Sequence, residues 1–211
     1  MGADKMLTDL EGLPLLARVV QVFQSSKHIA EIVLVMNSTN IQAAKEITVY
    51  HDWNKVSGIY LGGALRQDSV AAGLAHLRAW PWVVIQDGAR PLVTEDMIER
   101  GLVAARVTGA AVAAVPTKDT IKQVSQELTV ECTLERSRLW SIQTPQVFSG
   151  DLIRQAYKYA EGEVTDDATL LERQGKQVTV YYGADDNIKV TTPTDLELAR
   201  ILWRSRGKKC G

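Results

Sequence analysis

Only two cysteines, Cys132 and Cys210, occur in the 211 residues. Two thiols cannot staple a disulfide scaffold, so the expected setting is a reducing cytoplasm. No window approaches the ~20 apolar residues of a membrane-crossing helix, and the N-terminus has no signal-peptide layout. Neither sign of charge dominates: 24 Lys and Arg stand against 25 Asp and Glu, a formal net charge of −1. That balance argues against a chain whose main task is gripping nucleic acid or an anionic membrane. It leaves room for a local basic cleft that takes a phosphorylated small molecule. The three histidines, His28, His51 and His76, are scattered without metal-ligand spacing, and no protein-held metal is expected. There is no internal repeat, low-complexity segment or interdomain linker. No G-x-G-x-x-G follows a strand, which speaks against a dehydrogenase of the Rossmann type.

What is there reads as one soluble domain spanning 1–211, 45% hydrophobic and 23% charged, long enough for a sizeable core. Apolar spacing predicts helices over 13–23, 41–47, 67–77, 151–159, 166–173 and 193–206. Short β-rich runs predict strands over 31–36, 56–61, 80–85, 110–115, 139–148 and 177–182. Thr94 followed by Glu95 and Asp96 predicts a capped helix start after the third of these strands. The alternation is that of a doubly wound α/β sheet. It is interrupted by a hairpin over 120–124 and 128–134, an arm of about 118–136 that has too little surface to be stable unsupported. A second subunit is the natural support. The basic tail 204–209 is expected to be frayed and solvated.

Four fragments could carry chemistry. Gln86-Asp87-Gly88-Ala89-Arg90-Pro91 closes the strand over 80–85, placing Asp87 and Arg90 at a carboxyl edge, where open α/β sheets bind ligands. The bland reading is a local ion pair that caps the turn. Gly62 and Gly63 let the backbone approach a ligand closely, and the helix containing Ser69 offers free N–H groups. Such Gly pairs are often mere turns. Lys189 follows Asp185 and Asp186 at another strand end and reads, alone, as a solvated lysine. Lys5, in Met1-Gly2-Ala3-Asp4-Lys5, reads alone as part of a disordered start.

Together these fragments resemble the sugar-nucleotide cytidylyltransferases, and most closely the family of 2-C-methyl-D-erythritol 4-phosphate cytidylyltransferase. The likeness is carried by MGADKML with the later GLPLL, GGALRQDSV, QDGARP, the DT and ER pairs beside the hairpin, LWSIQTPQVF, VTDDA and DNIKVTTPTDLELA. It is nearly full length and in the family's order. It implies a Rossmann-like nucleotidyltransferase sheet with a protruding β-hairpin arm through which a homodimer forms. It also implies transfer of CMP from CTP to a polyol phosphate, with Mg²⁺ carried mainly by the CTP phosphates. By the same resemblance Lys5 holds the α-phosphate, while Arg136 and Lys189 grip the substrate phosphate. Arg136 and Thr120 act in a neighbouring subunit's site. Asp87, Arg90 and Thr144 contact the sugar alcohol, and Gly63, Ser69 and Gly88 recognise cytidine. Ribitol 5-phosphate is the alternative substrate, and a non-catalytic nucleotide-binding module the alternative of another class.

One departure stands out. The family's chain begins with a strand and an A-A-G-x-G-x-R loop, followed by the M-G-x-D-K piece on whose methionine Met1 falls. The expectation is a start placed late, and a sheet whose first central strand is missing, with two neighbours left unpaired. Amides that would wrap the triphosphate are expected to be missing with the loop.

Overall fold

The computed structural model describes residues 5–207, and of Lys5 the backbone only. A turn at Lys5–Leu7 leads into a two-residue pair, β1 (Asp9–Leu10) and β2 (Leu13–Pro14), closed by Glu11 and Gly12 at φ 55° and 87°. The following helix, α1 (Leu15–Ser25), therefore starts two residues later than its apolar spacing predicts, because Leu13 and Pro14 are used as a strand. It buries Leu16, Ala17, Val19, Val20 and Phe23, positions that recur every three or four residues and so form one face.

The next elements alternate as expected: β3 (Ile32–Met36), α2 (Ile41–Tyr50), β4 (Val56–Leu61), α3 (Arg66–His76), β5 (Trp82–Ile85), α4 (Glu95–Thr108) and β6 (Ala110–Pro116). Thr94 caps α4 by accepting the Met97 N–H at 3.4 Å. Gly109 ends it at φ +83°, a conformation that costs glycine nothing. Trp80 lies outside β5, because its backbone N–H turns back to the Arg78 carbonyl at 2.9 Å and the next residue, Pro81, has no N–H to give a ladder. The hairpin arm is β7 (Lys122–Val124) with β8 (Val130–Thr133), paired with each other and exposed throughout. The chain then returns as β9 (Trp140–Ser149), α5 (Gly150–Lys158), α6 (Ala168–Arg173), β10 (Thr179–Tyr182) and α7 (Pro193–Gly207).

Four strands form one sheet in the order β10-β6-β9-β5. Pairing of β10 with β6 is parallel, while β9 runs antiparallel to both its neighbours. The parallel pair β3–β4 is a separate sheet. Among the described residues β3 and β5 share no ladder, and the two sheets part between them. Helices cover both faces. Leu34 and Met36 of β3 pack with Leu16, Ala17 and Val20 of α1, whereas a Cβ on Gly73 of α3 would lie 3.2 Å from Val35 on the opposite face.

The tail corrects one expectation. Arg204 pairs with Glu11 at 2.8 Å, and Arg206 pairs with Asp186 at 2.7 Å and donates to the Leu92 carbonyl at 2.7 Å. These arginines dock the last helix, because α7 runs past carboxylates that they can reach. Lys208, Lys209 and Cys210 lie outside the described residues. Cys132 is a free, exposed thiol on the arm.

Candidate active site

The turn after β5 brings Asp87 to the carboxyl edge, 13% exposed, with three cations around it. Lys189 Nζ lies 3.0 Å away, Arg66 Nε 3.1 Å and Arg90 Nε 3.6 Å. The backbone fixes this convergence. The Asp87 N–H donates to Thr144 Oγ1 at 3.1 Å, joining the turn to β9. The Val190 N–H donates to the Ala89 carbonyl at 2.8 Å, laying the Lys189 segment along the same turn. Asn187, fully buried, donates from Nδ2 to Gln143 Oε1 and to the Thr144 carbonyl, at 3.2 and 2.9 Å. Its own backbone carbonyl accepts Arg90 Nη1 at 2.8 Å. Beyond Lys189, Asp195 and Thr192 cap α7 reciprocally, at 2.8 and 3.2 Å, and hold the loop in place.

Arg66 extends the cluster inward. Its Nη2 is 2.7 Å from Asp167, whose side chain is completely buried and also accepts the Tyr157 hydroxyl at 2.5 Å. The electrostatics follow from these contacts. Burial alone would raise the Asp87 carboxyl, but Lys189 and Arg66 outweigh it and hold it below the ordinary carboxylate value. Burial opposes the charge on Arg66, and Asp167 and Asp87 more than compensate, so its guanidinium is held more firmly than usual. Burial lowers Arg90, which Asp87 only partly offsets. Tyr157 is pushed up by burial and by the Asp167 charge.

Asp87, Lys189, Arg66, Arg90 and Thr144 line a cavity of about 420 Å³ together with Gln146, Thr165 and Asp166. Gln146 Oε1, a buried atom of one lining residue, has no hydrogen-bond partner among the described residues, and Arg90 Nε has only its long ion pair with Asp87 at 3.6 Å. Buried polar atoms are ordinarily satisfied, so an acceptor left over and a weakly held donor beside one cavity suit a polar ligand. Lys189 is the most accessible of the three cations, its side chain 40% exposed. It is the one free to turn from Asp87 to an incoming anion.

Of the residues expected from the sequence, Asp87, Arg90, Thr144 and Lys189 meet here. Gly88 adjoins them: a Cβ on it would collide with Met6 Cε, so the turn at Lys5–Leu7 packs against the site. The Lys5 side chain lies outside the described residues. Gly63 follows β4 and Ser69 lies in the first turn of α3, with its hydroxyl donating to the Leu65 carbonyl at 3.3 Å. Asp68 folds back over this loop, accepting the Leu65 N–H at 3.0 Å and leaving no room for a Cβ on Gly63. Arg136 and Thr120 lie at the root of the arm, exposed and away from this cavity, with Arg136 Nη1 donating to the Lys118 carbonyl at 3.0 Å. Sequence reasoning gave no role to Arg66, Asp167, Tyr157 or Asn187. The arginine inside GGALRQDSV and the paired acids of VTDDA were the available signals.

Residues 1–205 match the family model of 2-C-methyl-D-erythritol 4-phosphate cytidylyltransferase. A protein of that name from Dehalococcoides mccartyi (strain CBDB1) is 50% identical over 203 residues, covering 96% of this chain and 89% of its own length. Another, from Alkaliphilus oremlandii, is 42% identical over 213 residues, covering 98% and 90%. Among solved structures, 4-diphosphocytidyl-2C-methyl-D-erythritol synthase from Anaerococcus prevotii superposes with a TM-score of 0.85 at 30% identity, covering 93% of this chain and 88% of that one. The 2-C-methyl-D-erythritol 4-phosphate cytidylyltransferase of Thermus thermophilus does so at 0.81 and 31% identity, covering 96% and 95%. The match over nearly the whole chain agrees with the cation cluster at the strand edge, and the chain belongs to the 2-C-methyl-D-erythritol 4-phosphate cytidylyltransferase family.

Proposed function

We propose that this chain transfers CMP from CTP to 2-C-methyl-D-erythritol 4-phosphate, releasing pyrophosphate, in the cytoplasmic synthesis of isoprenoid precursors. The observation that carries the reading is the convergence of Lys189, Arg90 and Arg66 on Asp87 beside a polar cavity at a sheet's carboxyl edge. In the reaction a phosphate oxygen of the sugar alcohol attacks the α-phosphorus of CTP. The bond from that phosphorus to the β-phosphate bridging oxygen breaks, and pyrophosphate leaves. Two anions must meet in line, so the protein's work is charge neutralisation and positioning, with no nucleophilic side chain.

Lys189 grips the substrate phosphate and aims its oxygen. Asp87 accepts hydroxyls of the sugar alcohol, held in place by Arg66 and Arg90, with the Thr144 hydroxyl beside it. Gly63, Ser69 and Gly88 border the cytidine, and Lys5 meets the α-phosphate. Among the described residues no three His, Cys, Asp or Glu side chains converge as a metal site. Asp87, Asp166 and Asp167 are each engaged by neighbouring side chains. A resident metal does not fit that donor set. Mg²⁺ enters with CTP as part of the substrate, as suits a small hard ion that keeps few protein ligands.

The arm supports a homodimer: Val124, Leu128 and Val130 are apolar and 47–83% exposed on a hairpin with no packing of its own. In such a dimer Arg136 and Thr120 complete the partner's site. The decisive assay is pyrophosphate release from CTP with Mg²⁺. Release that requires methylerythritol phosphate is the expected result. Release with ribitol 5-phosphate alone would reassign the substrate, and nucleotide binding without release would make the chain a binding module.

A further inference from the structure

We propose that Gln67 is a positioning residue for the polyol phosphate, setting the cavity wall at Thr165 from a helix start outside the cavity. Its role rests on the reaction proposed above, which gives Gln67 no task. Consecutive residues in the first turn of α3 reach different places. Arg66 meets Asp87 and Asp167, whereas Asp68 folds back to the Leu65 N–H. Gln67, between them, crosses to the segment that joins α5 to α6. Its Nε2 donates to the Gly162 carbonyl at 3.2 Å, and its Oε1 accepts the Val164 N–H at 2.9 Å. One residue of a parallel strand binds its neighbour in the same pattern, through the residues before and after the one it faces. A side-chain amide here stands in for a strand.

The same segment is also held from α6. Arg173 donates to the Glu161 carbonyl at 2.5 Å and to the Glu163 carbonyl at 3.0 Å. Val164 packs against the core cluster that contains Ala168 and Leu171. After Thr165 comes Asp166, whose carboxylate accepts Thr169 Oγ1 at 2.6 Å and Gln146 Nε2 at 3.1 Å. Thr165 is therefore pinned from both sides, by Gln67 through Val164 and by the engaged Asp166. Thr165 and Asp166 line the cavity with Asp87 and Lys189, and Gln67 does not. It acts on the ligand only through the wall. Without Gln67 the segment keeps Arg173 and Val164, so the wall loosens but stays attached. The backbone of α3 and of the loop before it is untouched by a change of this side chain, which spares the CTP side. Two hydrogen bonds of ordinary net strength hold the wall, and their loss should weaken polyol-phosphate binding about 5- to 20-fold.

The test compares the intact wild-type chain with Gln67→Met and Gln67→Glu. Methionine matches the length without hydrogen bonds, and glutamate keeps only the acceptor for the Val164 N–H. Pyrophosphate release is measured with each substrate varied in turn, and amide exchange is followed at Val164. In Gln67→Met the KM for methylerythritol phosphate should rise about 5- to 20-fold, with Val164 protection lost. Its KM for CTP and its turnover at saturation should stay within about twofold of wild type. Gln67→Glu should keep Val164 protected and fall between the two. An unchanged KM for the polyol phosphate, an equal rise in both KM values, a fall in saturated turnover alone, or Val164 still protected in Gln67→Met would overturn the proposal while the reaction stands. A wild-type chain inert towards methylerythritol phosphate would overturn the reaction and the role of Gln67 together.

Discussion

Replacing Arg66 by alanine should damage stability more than its position on a loop-facing helix start suggests. The side chain is 31% exposed and serves two carboxylates with unequal need of it. Asp87 keeps Lys189 and Arg90. Asp167, with no exposed side-chain surface, keeps only the Tyr157 hydroxyl among the side chains of the described residues. Stripping one partner from a buried ion pair leaves an uncompensated charge and costs about 3–5 kcal/mol, and the partial exposure of Arg66 puts the expectation near the lower end. For a chain of this size that is a fall in melting temperature of roughly 6–12 °C. Urea unfolding of Arg66→Ala, Asp167→Asn and the double variant forms the assay. The double variant should recover about 1–2 kcal/mol relative to the sum of the singles, because the charge that needed Arg66 has gone. Strict additivity, or a loss below about 1 kcal/mol for Arg66→Ala, would refute the reasoning and make Asp167 a group that water reaches.

Lys189→Ala should lower turnover about 10²–10³-fold by removing one preorganised charge donor, with little change in melting temperature; unchanged turnover with lost stability would make it a structural partner of Asp87. Mixed with Arg136→Ala subunits it should regain activity, since in a dimer with crossed arms one site then carries both lesions and the other neither; no recovery despite proven subunit exchange would end the reading of Arg136. The Asp195 carboxyl is held at about 2, against an ordinary 3.8, chiefly by the Thr191 hydroxyl and the Thr191 and Thr192 amides. Its folded value is depressed, so its contribution is complete above 3.8 and lost as pH falls through about 2; acid-unfolding curves of wild type and Asp195→Ala should converge over that window, and a constant gap would refute the assignment.

Much of the fold could be read locally because its boundaries are local events. The run Ala110–Pro116 ends at its proline, α4 begins at the Thr94 hydroxyl, and the hairpin announces itself by breaking the alternation. The sense of β9 was not legible, because an antiparallel insertion follows from where the arm returns the chain and not from the residues of the strand. At the site, Asp87 and Arg90 were legible from their turn, whereas the use of Lys189 depends on the Val190–Ala89 bond between distant segments. The Arg66–Asp167 pair joins residues 101 apart, a separation no pattern of period two or four encodes. The tail arginines were misread for the same reason: a basic run looks solvated until the carboxylates it passes are known.

The ten residues of β9 also set a mechanical constraint. Trp140 and Ser141 pair with the last residues of β6 at the root of the arm, while Gln143, Thr144 and Gln146 of the same strand line the substrate cavity. One continuous strand runs from the first group to the second. Any coupling between a partner of the arm and a ligand of the cavity would run along this strand, and by linkage it would change both affinities by one common factor.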